Sequence, residues 1–196
     1  MFASYLASRG DRYKACRLAS YEIYHDAQTP VVETLRAYAT DMENNAADGR
    51  GIFLHGSSGT GKDHLLSAMA RVAILRHGIG VEWISGQQLF GEIREAMDDE
   101  SKASEASIIK RLTSPSVLIL SDPAPTFGNV SSHQGNVLYR IIDERYNRRK
   151  ATWVSINVSN RKEAEEKLGG PIVDRMAHDA VVLPCQWPSY RMRKGE

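Results

Sequence analysis

Eight consecutive residues constrain this chain more than any others. Gly56, Ser57, Ser58, Gly59, Thr60, Gly61, Lys62 and Asp63 fit the pattern G-x-x-x-x-G-K, whose next position is ordinarily Ser or Thr and here is Asp. Glycines let successive backbone N–H groups turn inward around phosphate oxygens, a following helix adds the positive end of its dipole, and the lysine supplies a point charge. The flanks agree with that chemistry. The apolar run 51–55 enters the turn, and Leu65, Leu66, Met69, Val72, Ala73 and Leu75 then recur at helical spacing up to Gly78, a natural C-cap. A strand, a phosphate cradle and a helix are therefore expected, with His64 counted among the residues beside the ligand.

The same alternation continues along the chain. Residues 81–84, 117–120 and 152–156 are short apolar runs followed by turn residues or a helical pattern, and residues 181–183, before Pro184, make a fifth. Strands without two-residue polar alternation, interleaved with helices, predict an α/β fold: a mostly parallel five-stranded sheet covered on both faces. Val31, Val32, Leu35, Tyr38, Ala39 and Met42 predict a helix over 31–42, closed by the polar run 43–50. Residues 1–30 show no clean period and are expected as an irregular lead-in to one domain over 31–196.

A phosphate site of this kind needs acidic groups at the end of another strand, and there the chain offers Ser121 and Asp122 where two acids are usual. Counted from the four preceding apolar residues, Ser121 takes the metal-binding position and Asp122 that of the base orienting the attacking water. Asp122 holding the metal itself, or merely opening a turn with Pro123, are the other readings. Asp63 adds a carboxylate beside the phosphates, which weakens binding unless a metal takes it up. Asp63, Ser121 and Asp122 are thus the expected Mg²⁺ ligands, with hydroxyl and carboxylate exchanged between the first two positions.

Composition narrows the class further. At 42% hydrophobic and 25% charged residues, disorder and fibrous structure are excluded. The net charge of +1 means that any nucleic-acid contact must come from a local basic patch. Cys16 and Cys185 lie in no metal-ligand spacing, and no run approaches the roughly 18 apolar residues of a membrane span, so a cytoplasmic protein without membrane contact is expected.

Several motifs together resemble one family. They are Gly59-Thr-Gly-Lys-Asp-His-Leu65, the strand ending at Ser121 and Asp122, Ile141-Ile-Asp-Glu-Arg-Tyr146, Ser155-Ile-Asn157, Val173-Asp-Arg-Met176 and Trp187-Pro-Ser-Tyr-Arg191. With them the chain resembles, over residues 12–193, the AAA+ ATPases of the DnaC helicase-loader and IstB transposition-helper group. The resemblance implies a P-loop NTPase fold, an AAA+ core without a C-terminal lid domain, with ATP and Mg²⁺ bound between the subunits of a homo-oligomer. It also implies DNA, expected to be single-stranded, as one partner, and a replicative helicase or a transposase as another. It makes Asn157 a polar sensor aimed at the γ-phosphate or the attacking water, the alternative being ordinary turn chemistry. It makes Arg175 the arginine that reaches a neighbour's site, the alternative being a surface ion pair with Asp174 or Asp179.

Two basic groups are candidates for DNA: Arg145, Arg148, Arg149 and Lys150 at a helix end, where cations complement the dipole in any case, and Arg94, Lys102, Lys110 and Arg111 along an amphipathic stretch. Members of the family carry a partner-gripping region for which about fifty residues before the cradle are too few. Two other functions stay open. One is a nucleotide-binding scaffold with a decayed hydrolytic site; the other is a small-molecule kinase, against which the Asn157 position and the ending at Trp187 stand.

Overall fold

Every residue of the strands β1 (Ile52–His55), β3 (Val117–Ser121) and β4 (Ala151–Ile156) is buried except His55, and this is why their sequences read as unbroken apolar runs. The computed structural model describes residues 2–98, 104–125 and 128–193. In chain order the elements are α1 (Phe2–Arg9), α2 (Gln28–Thr40), α3 (Met42–Ala47), β1, α4 (Lys62–His77), β2 (Val81–Ser85), α5 (Gly86–Asp98) and α6 (Glu105–Thr113). After them come β3, α7 (Ser132–Asn147), β4, α8 (Arg161–Leu168), α9 (Gly170–Ala177), β5 (Val181–Pro184) and α10 (Tyr190–Arg193). All strand pairs are parallel, in the order β2-β3-β4-β1-β5, as the α/β expectation required.

Successive strand residues point to opposite faces, so each run divides between two cores. Ile52, Leu54, Val117, Ile119 and Trp153 meet Leu35 of α2, Met42 of α3 and Leu65, Leu66 and Met69 of α4. Phe53, Leu118, Leu120, Val154 and Ile156 meet Leu89 of α5, Ile108 of α6, Leu138 and Ile141 of α7 and Met176 of α9. Each fully buried Leu or Ile contributes about 1.5–3 kcal/mol, which makes the register hard to slip. The buried indole of Trp153 donates to the Tyr38 hydroxyl at 3.2 Å, and that hydroxyl donates to the Arg50 carbonyl at 2.6 Å, which satisfies the polar atoms of these two side chains.

Helix α4 ends as expected at Gly78, whose left-handed conformation (φ 63°) lets its N–H reach Ile74 and the Ile79 N–H reach Ala73. Two expectations are corrected. The polar run 43–50 begins with a further helix, α3, because Met42 and Ala46 bury and the Asn45 side chain donates to the Tyr38 carbonyl left open at the end of α2. The lead-in is not irregular throughout. Phe2, Tyr5 and Leu6 form the apolar stripe of α1, and Tyr5 lies edge-on to Trp83 of β2. Lys102 lies outside the described residues.

Candidate nucleotide site

The glycine loop joins β1 to α4 at the carboxyl ends of the strands, where open parallel sheets form their ligand crevices. Two other segments clamp it. A Cβ at Gly56 would lie 2.1 Å from the Cys185 carbonyl, and one at Gly61 would lie 2.8 Å from the Tyr21 ring, so both positions demand glycine. Between them the Thr60 carbonyl accepts from the Tyr21 hydroxyl and from the Trp187 indole N–H, each at 2.9 Å. The Tyr190 N–H donates to the Gly59 carbonyl at 3.0 Å, Tyr190 donates to the Glu22 carboxylate, and Tyr24 donates to the Pro188 carbonyl. The segment 21–24 and the segment 185–191 thereby latch to each other across the loop, around a cleft of about 350 Å³.

At the base of the cleft the Lys62 ammonium donates at 2.8 Å to the carbonyls of Gly56 and Ser57 and to the Asn157 side-chain oxygen. Burial lowers its pKa, while Cys185, Asp122 and Asp63 act in the opposite direction. Asn157 follows the last residue of β4 and thus reaches the lysine from a neighbouring strand. Asp122 sits in the same crevice with a positive φ of 44°, its N–H bonded to the Ser155 carbonyl at 2.7 Å. Loss of hydration and the nearby Asp63 push its carboxyl up from the ordinary aspartate value, against Lys62 and the Asn157 hydrogen bonds. His64 packs edge-on to Tyr21 and faces the Arg17 carbonyl at 3.2 Å.

Asp63 lies in the first turn of α4, and its part-exposed carboxylate meets three side chains. Oδ1 accepts from the Ser155 hydroxyl at 2.7 Å and the Ser121 hydroxyl at 3.0 Å, while Oδ2 lies 3.0 Å from that same hydroxyl and 3.3 Å from the Arg9 guanidinium. Mg²⁺ requires near-octahedral oxygens at about 2.0–2.1 Å and sheds water reluctantly. In nucleotide sites it is held by one or two protein oxygens together with phosphate oxygens and waters. The expected neighbours Asp63 and Ser121 are thus brought together and Asp122 lines the same cleft, so these are the residues that would hold Mg²⁺ beside bound phosphates.

Arg175 lies elsewhere. It lines a separate recess with Gly49 and Gly51 at the opposite end of β1, its Nε 2.8 Å from Asp143 and its guanidinium over the Tyr139 ring. The alternative pairing with Asp174 or Asp179 is not found: Asp174 pairs with Arg161 and Asp179 with His178. Arg145 is also withdrawn from any DNA patch. It is wholly buried and donates to Thr152 and to the carbonyls of Leu112, Pro115, Ser116 and Ala151. Desolvation pulls its pKa down, and those five acceptors hold it charged. Lys150 caps the Thr113 and Ser114 carbonyls, Arg148 pairs with Glu144, and Arg111 pairs with Glu82 and Glu92, whereas Arg94 and Lys110 stay exposed.

Sequence reasoning missed Arg9, Tyr21 and the bonding role of Ser155. For Ser155 a signal existed, since parallel strands ending at the same level bring Ser121 and Ser155 into register. Arg9 and Tyr21 belong to the stretch read as a lead-in, where only the spacing of Phe2, Tyr5, Leu6 and Arg9 hinted at a helix face.

A glycine loop with a buried lysine on a parallel sheet of this order defines a P-loop nucleotide-binding protein with an AAA+ core. More narrowly, the chain belongs to the family of IstB-like ATP binding proteins, whose pattern matches residues 12–196. The chain is 27% identical over 180 residues to the replicative helicase loader DnaC of Buchnera aphidicola subsp. Schizaphis graminum (strain Sg), covering 91% of this chain and 70% of that one. It is 28% identical over 189 residues to an insertion sequence ATP-binding protein of Sinorhizobium fredii (strain NBRC 101917 / NGR234), covering 87% and 61%. Among solved structures, the crystal structure of the DnaC helicase loader superposes with a TM-score of 0.77 at 26% identity, covering 89% of this chain and 99% of that one. No helix among the described residues is long and apolar enough to cross a membrane.

Proposed function

We propose that the cleft binds ATP with its phosphates on residues 56–63, and that binding or hydrolysis is coupled to placing a DNA-processing partner, a replicative helicase or a transposase, on DNA in the cytoplasm. The observation that carries the nucleotide reading is the Lys62 ammonium at the cleft base, whose partners are two loop carbonyls and Asn157. A γ-phosphate takes over these bonds as charge-assisted ones, roughly twice as strong as neutral pairs. Asn157 then shares the phosphate with Lys62, and Asp122, released toward the cleft, orients water. The partner reading is supported by the names of the relatives, one a helicase loader and one an insertion-sequence protein. In a homo-oligomer, Arg175 acts on the neighbouring subunit's nucleotide, since its own cleft lies at the other end of β1. Single-stranded DNA meets the exposed cations, among them Arg94 and Lys110.

The test is the variant Lys62→Ala. Its affinity for ATP, measured by titration calorimetry, is expected to fall by about 100-fold or more, with an unchanged far-ultraviolet dichroism spectrum. An unaltered dissociation constant would remove the P-loop from the function. A second reading, a scaffold that binds nucleotide and does not turn it over, is favoured by the engaged Asp63 carboxylate and by Ser121 in place of an acid. Steady-state phosphate release with and without single-stranded DNA separates the two.

A further inference from the structure

Away from the nucleotide cleft, the second half of α4 and the facing side of α2 leave a recess of about 460 Å³, with residues 17–19 beside them. Arg17, Arg36, Arg71 and Arg76 line it, and among the described residues no carboxylate does. Elsewhere on the surface arginines meet acids, as Arg111 meets Glu82, Arg140 meets Glu105 and Arg161 meets Asp174. Two of the recess arginines are positioned without one. The Arg71 guanidinium lies 4.8 Å from the centre of the Phe2 ring and donates to the Lys14 carbonyl, and Arg17 donates to the Ala15 carbonyl, each at 3.4 Å. Arg36 and Arg76 are exposed. Four like charges gathered in this way repel one another, and a partner bearing carboxylates relieves that repulsion.

The floor between these charges is aliphatic. Leu18, Ala39, Ala68, Val72 and Leu75 supply it, and Leu75 stays 52% exposed although it belongs to the apolar spacing of α4. Ala68, Arg71, Val72, Leu75 and Arg76 form one stripe of about 12 Å along α4, and Arg36, Ala39 and Thr40 repeat the three- and four-residue spacing on α2. A groove of that length between two helices accepts about two turns of a third. Nucleic acid fits it less well, since single strands bind where bases stack on aromatic rings, and among the described residues no aromatic side chain lines the recess. We propose that this recess docks an amphipathic helix of a partner protein, its apolar face on Val72 and Leu75 and its flanking acidic residues on the four arginines. Helix α4 carries the cradle lysine as its first residue and this surface along its second half, so one rigid element joins the cradle to the docked partner.

The inference stands apart from the nucleotide reading and is tested apart from it. The probe is a fluorescein-labelled helical peptide of about 14 residues, with leucines at helical spacing on one face and glutamates on its flanks; a second peptide carries lysines in place of the glutamates. Fluorescence anisotropy with the full chain at low salt is expected to show the glutamate peptide binding at least about tenfold more tightly than the lysine peptide. The double variant Arg36→Glu with Arg76→Glu is expected to weaken that binding by about tenfold or more, and Leu75→Ser by about threefold or more. All three positions are exposed and outside the nucleotide cleft, so ATP affinity is expected to stay unchanged. A glutamate peptide that binds no more tightly than the lysine peptide, or equally well to the variants, overturns the proposal. A thymidine oligonucleotide that binds the wild-type chain and is lost in the double variant, while the glutamate peptide fails to bind, overturns it too and assigns the recess to nucleic acid.

Discussion

At the scale of single residues, each cation named at the crevice base has a side-chain partner. Lys62 leans on Asn157, Arg9 on Asp63, and Asp122 is the carboxylate without a cationic partner in contact. Its raised pKa has a consequence for stability. A carboxyl whose folded value lies above its unfolded one is protonated more readily in the fold, so stability is lost as pH rises from the ordinary aspartate range through the folded value. Below that range both states are protonated and nothing is lost. Asn also tolerates the positive φ at this position as well as Asp does. Asp122→Asn is therefore expected to raise Tm at pH 7 by on the order of 1–3 °C and to leave it unchanged near pH 3, while reducing any hydrolysis. Calorimetric scans at the two pH values check this, and a stabilisation that persists at pH 3 would exclude the ionised carboxylate as its source.

Among the elements, α7 shows how a motif can carry stability in place of recognition. Its C-terminal arginines read as a basic patch, yet Arg145 turns inward and gathers the ends of α6, β3 and β4 through four carbonyls and the Thr152 hydroxyl. The loop 114–116 and the start of β4 have few other donors aimed at them, so the guanidinium fork acts as a staple. Removing one side of such a buried set strands the other. Arg145→Met, close in volume, is expected to lower unfolding stability by about 3–5 kcal/mol in urea titrations. Arg148→Met, whose side chain pairs with Glu144 at the exposed helix surface, is expected to cost less than about 0.5 kcal/mol. Equal losses would return Arg145 to the surface role that its neighbours suggested.

For the whole molecule, the parallel sheet sets two recesses apart by its length. The carboxyl ends of the strands hold the loop, Lys62 and Asn157, and the other end of β1 holds Arg175 beside Gly49 and Gly51. A residue at that distance from its own cleft can act on nucleotide only across a subunit boundary. In the proposed oligomer, Arg175→Ala is expected to bind ATP with unchanged affinity and to lose hydrolysis. Mixing it with Lys62→Ala is expected to restore a fraction of the activity, because each assembly then contains some sites with an intact lysine and an intact facing arginine. Phosphate release measured across mixing ratios tests this; a strictly flat zero would place Arg175 in its own chain's structure through Asp143 alone.

The five strands, the helix that follows the cradle, the cradle itself and its lysine were legible in the sequence because they rest on short-range physics: period, glycine conformation and the spacing of a turn. The parallel sheet followed from strands apolar on both faces. That Ser121 faces Asp63 was legible from the paired departures at those two positions, whereas Arg9 and Ser155, 54 and 92 positions away, meet it only once β3 and β4 lie in register and α1 packs on β2. The same holds for Arg145, whose basic neighbours suggested a surface patch until burial gave it five acceptors. Local pattern fixes which elements form and which loop can hold phosphate. Only the packed chain decides which charge faces which, because a charge pair is made by distance in space and carries no period along the sequence.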